Sequence, residues 1–138
     1  MNLRLLPLFL LLFGFAQLTL AAGEEELAQE HLKVMERFLE IVGSLKDVAS
    51  AKQAQPELTA LSERNDGIFR KAKSLNIAND TMVKYLQAHY KARSAAIFEG
   101  SFTMMFTMSK LPEFEKMGDY LSKPVNALTN TTWASITN

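Results

Sequence analysis

Leu27, His31, Val34, Phe38, Ile41, Leu45 and Val48 recur at alternating steps of four and three residues, the spacing that places side chains on one stripe of an α-helix. Charged residues such as Glu30, Lys33, Glu36, Arg37, Glu40 and Lys46 lie between them. A helix with one such stripe holds in water only when other helices cover it. The chain supplies candidates. Leu58, Leu61, Asn65, Ile68, Ala72 and Leu75 repeat the rhythm, and Val83, Leu86, Tyr90, Arg93, Ile97, Gly100 and Met104 form a third stripe.

These patterns predict helices over 24–49, 50–75 and 80–108, each about 40 Å long at 1.5 Å per residue. Either a capping box beginning at Ser50 or a cap at Asp47 starts the second helix, and Asn79 or Asp80 caps the third. Pro56 predicts a bend or a later start. Asn65-Asp66-Gly67 resembles a turn, yet the apolar register is continuous across it, which favours one helix. Equal lengths and short connections predict an all-α fold, an up-down-up three-helix antiparallel bundle. Pro112 opens a short fourth helix holding Phe114, Met117 and Leu121. This helix is expected to stop before Pro124 and to fold back over the apolar end of the third. The Thr/Asn-rich C-terminal tail, 123–138, then docks in part through Val125, Leu128, Trp133 and Ile136. A rival use of the first stripe is a parallel coiled-coil dimer.

Residues 1–23 stand apart. Arg4 in a short basic start, an apolar run from Leu5 to Leu20, and small residues before Glu24-Glu25-Glu26 read as a secretory signal peptide cleaved after Ala21 or Gly23. The expected location is therefore exported, periplasmic or secreted, with no stable membrane insertion once the leader is removed. The 115 residues that remain, as one bundle domain over 24–122 and its tail, can bury about two-thirds of the unfolded surface. Without the leader, 14 basic side chains face 15 acidic ones, a balance that predicts no attraction to nucleic acid. The chain has no cysteine, so its stability must come from the core and not from disulfides or thiolate metal sites.

No phosphate-cradling glycine cluster, paired-histidine zinc helix or nucleophile elbow is present, and the expectation is a non-enzyme with no cofactor. Two groups of residues remain as candidates. Phe98, Phe102, Met104, Met105, Phe106 and Met108 together cover nearly all sides of one helical segment, which predicts a buried core or a surface for a protein partner, an apolar ligand or self-association. His31 and His89 fall near the same end of an up-down-up bundle and are alternative ligands for a metal ion or haem; a hydrogen-bonded core His31 and a solvated His89 explain them equally. Arg93 and Asn65 interrupt their stripes and predict pairing with each other or with a glutamate on a neighbouring helix. A purely structural role as an envelope spacer needs no feature beyond the bundle.

Overall fold

The structure, a computed structural model, describes the backbone of residues 6–131 and 133 and the side chains of 23–131 and 133. The start of the expected leader and the end of the tail, with Ile136, lie outside the described residues. Five helices make up the fold, and no strand occurs among the described residues. They are α1 (Leu6–Gly43), α2 (Val48–Ser74), α3 (Asn79–His89), α4 (Lys91–Met108) and α5 (Phe114–Asn130). No helix among the described residues is long and apolar enough to cross a membrane.

The first stripe becomes the centre of the core. Leu27, His31, Val34, Phe38, Ile41 and Leu45 are all buried by other parts of the same chain, so this stripe is not a free seam for a second helix 1. Contacts with α2 run in opposite order along the two helices, from Glu26–Lys71 through Glu30–Arg64 to Arg37–Glu57. Contacts with α3 and α4 advance together, from Glu25–Tyr85 through Gln29–Tyr90 to Glu36–Arg93. These ion pairs are largely exposed, each worth at most about 1 kcal/mol, so they record the alignment while apolar burial stabilises it.

The ends of α2 follow from local chemistry. Asp47 accepts the Ser50 backbone N–H at 2.8 Å, and Ser50 Oγ accepts the Asp47 N–H at 3.1 Å. The cap is thus Asp47, with Ser50 as the reciprocal member of a capping box. Pro56 sits inside the helix without ending it, and the helix continues through Asn65-Asp66-Gly67. At the other end Asn76 takes a left-handed φ of 54°. The Ile77 N–H donates to Ala72 O and the Asn76 N–H to Lys73 O, the pair of bonds of a Schellman stop, with Asn as one of the few residues that tolerate this conformation.

Three expectations need correction. The third helix is two: it breaks at Tyr90, where φ is −133° and ψ 29°, and the cap before α3 is Ala78, without a side-chain bond. On a straight helix Tyr85 and Tyr90 would point about 140° apart; across the break both hydroxyls donate to the Glu25 carboxylate. The fourth helix does not stop before Pro124 but runs through it to Asn130. Met117, Leu121, Pro124 and Leu128 form one buried stripe, and its burial offsets the hydrogen bond that proline cannot make. Much of the expected tail is therefore helix. Finally, α5 packs chiefly on α2 and not over the apolar end of α4. Buried Trp133 follows it and closes over the α1–α2 seam.

Candidate functional site

Because α5 lies on α2, α4 is left packed mainly on α1 and α3, and its six candidate residues divide. Met104 and Met108 turn inward and are each 9 % exposed; they belong to the core side, against the expectation that they join a partner surface. Phe98, Phe102, Met105 and Phe106 are 59 %, 63 %, 66 % and 64 % exposed. Their steps of four, three and one place them on the outward side of the helix. Phe98 and Phe102 meet edge-on at 4.9 Å between ring centroids, and the Lys110 ammonium lies over the Phe106 ring at 3.8 Å. Four large side chains this exposed present on the order of 500 Å² of apolar surface, in the range where a patch on a soluble protein marks an interaction site.

Beside this face, α4 and α1 part to leave an apolar groove of about 370 Å³ lined by Leu39, Val42, Gly43, Thr103, Met104 and Thr107, with Leu45, Met108 and Leu111 at one end. Gly100 borders it. A Cβ at that position would stand 3.0 Å from Leu39 Cδ1, so the missing side chain lets α4 approach α1 there and the groove opens beyond. It has the size of a small-ligand cleft but no charged side chain among its lining residues.

The two histidines have separate partners. His31 is buried between α1, α2 and Trp133. Asn65 Nδ2 donates to the Thr131 carbonyl, which turns Asn65 Oδ1 toward His31 as an acceptor at 2.8 Å; the proton of the neutral ring therefore sits on Nδ1. Trp133 and Phe69 meet the imidazole edge-on at 4.8 and 5.8 Å. Burial holds the His31 pKa below the usual histidine value, against the smaller opposing effect of the Asn65 hydrogen bond. His89 is exposed and stacks on Tyr85 at 4.4 Å, at the Glu25 cluster on another side of α1. The structure does not bring His31 and His89 together, and no three His, Asp or Glu side chains among the described residues could hold a metal ion jointly.

Sequence reasoning marked Asn65 and Arg93 as interruptions, and both are paired. Arg93 donates two bonds of 2.8 Å to Glu36, the glutamate partner expected, whereas Asn65 pairs with His31. The cluster around Glu25 was not anticipated. Its carboxylate accepts from Tyr85, Tyr90 and Gln29, which holds its pKa below the usual carboxylate value and pushes that of Tyr85 up to about 12. A tyrosine at the start of the third stripe, followed by a second five residues later, was the only signal available.

No known family model matches this chain, and no curated protein or solved structure is similar to it.

Proposed function

We propose that the chain is an exported, non-catalytic helical protein that works by binding, and that the outer face of α4 is its docking surface. The observation that carries this reading is the exposure of Phe98, Phe102, Met105 and Phe106 on one side of a helix whose other side is in the core. In this reading α1, α2 and the α3–α4 pair are the members of an up-down-up bundle; the opposed order of the α1–α2 ion pairs and the common order of the α1–α4 contacts support it. The α1–α4 groove beside the face would take an apolar group presented by whatever docks there. The leader is removed on export, and the bundle then starts near Gly23, the point from which α1 packs on Leu75 and Ile77.

The test places a photo-crosslinking amino acid at position 105 in cells that make the full chain, with position 126, exposed on α5, as control. A discrete adduct from 105 and none from 126 is the expected result. Equal or absent labelling from the two positions overturns the reading.

A further inference from the structure

Resting on that reading, we infer that the occupant of the α4 face is a second copy of this chain, paired α4 to α4 in antiparallel fashion. The spacing of the exposed residues is the first reason. Lys91, Ala95, Phe98, Phe102, Met105 and Ser109 step by four, three, four, three and four, and every one of them is exposed. This is the rhythm of a helix–helix seam, carried here by the side of α4 turned away from its own bundle. The inward stripe of the same helix, Ile97, Gly100, Met104 and Met108, is offset from it and already used. A helix with two seams has one to give to a partner helix.

Charge gives the occupant and the direction. Glu99 and Lys110 lie on the same flank of the outer seam, with Phe106 between them in angle, and neither has an ion-pair partner among the described residues. In an antiparallel pair like flanks face one another. With Phe102 of one copy set against Met105 of the second, Glu99 comes across from Phe106 and Lys110 of the second copy, and two-fold symmetry repeats the contact at the other end. The Lys110 ammonium already rests on the Phe106 ring at 3.8 Å, where that glutamate would arrive. A parallel pair turns this flank toward Ser94, Ser101 and Met108 instead and leaves both charges unmatched. Covering the face on both copies removes on the order of 1,000 Å² of apolar surface, the lower end of what specific association needs, so the pair is a reversible one.

The chain has no cysteine, which makes directed disulfides clean probes. Two differently tagged full-length copies, one Phe102→Cys and one Met105→Cys, are co-expressed in exporting cells and oxidised. The expected result is a mixed disulfide at least tenfold above that from copies both carrying Asn126→Cys. Adding Glu99→Lys to both copies, or Lys110→Glu to both, lowers the yield at least threefold, and the two swaps together return it to within twofold of the start. All four positions are exposed, so folding is preserved, and circular dichroism checks that it is. No mixed product, or a double swap that fails to restore it, overturns the self-pairing. If the position-105 photoprobe meanwhile captures a different protein or a lipid, the α4 face stands as a binding surface and only its assignment to a second copy falls.

Discussion

Asn65 on α2 accepts the Nδ1 proton of His31 on α1 at 2.8 Å, and through its own amide donates to the carbonyl of Thr131 at the end of α5. One amide thus joins three helices at a point where both groups it serves are cut off from water. Asn65→Leu keeps the size of the side chain but leaves a buried imidazole N–H and a carbonyl unmatched. The expected cost is about 2–4 kcal/mol, read as a shift of the urea midpoint. Trp133, which packs on His31, reports the loosening as a red-shifted fluorescence. A cost below about 1 kcal/mol would mean that water reaches the site.

The same site sets an acid limit on stability. The pKa of His31 is depressed in the folded protein, chiefly by burial, while the unfolded chain titrates at about 6.5. Within this window the unfolded chain binds more protons, so the contribution of neutral His31 is complete above about pH 6.5 and is lost as pH falls toward the folded pKa. Unfolding free energy should therefore decline from pH 7 to pH 5, and His31→Gln, which cannot titrate, should flatten that decline. Equal slopes for the two proteins would contradict the burial of a neutral ring.

Met105 and Met108 are three residues apart on α4 and face opposite environments. Met105→Asp adds a charge to exposed surface and should move stability by less than about 0.5 kcal/mol. Met108→Asp places an unpaired carboxylate in the core and should cost about 3 kcal/mol or more. Thermal unfolding separates the two. An apolar dye that fluoresces on exposed hydrophobic surface should bind the folded protein and lose at least half its signal in Met105→Asp.

The two helical prolines differ in what surrounds them. Pro56 is exposed within α2, so Pro56→Ala restores a backbone hydrogen bond without losing packing, and should stabilise by about 2 kcal/mol. Pro124 is buried on the α5 stripe; Pro124→Ala gains the same bond but gives up ring contacts worth about 1.5 kcal/mol, leaving a net gain of about 1 kcal/mol. Chemical denaturation of the two variants should preserve that order.

What the sequence determined by itself was periodicity and its local interruptions. The stripes through Leu27–Leu45 and Leu58–Ala72 are legible because a helix puts residues three and four apart on one side whatever surrounds it, and these residues are in the core. Interruptions were legible too: Asn65 and Arg93 announced that something polar had to meet them. Partner and position were decided only by packing. Whether Asn65 met His31 or Arg93, and whether Pro124 ended a helix or rode inside one, depended on burial against α2, which outweighs local propensity. The α4 segment shows the same division. Its apolar residues cover nearly every side in the sequence, so no periodicity tells core from surface; the seating of α5 on α2 left Phe98, Phe102, Met105 and Phe106 open while α1 took Met104 and Met108. A helix carries its pattern in the chain, but the side that meets water is set by where its neighbours come to rest.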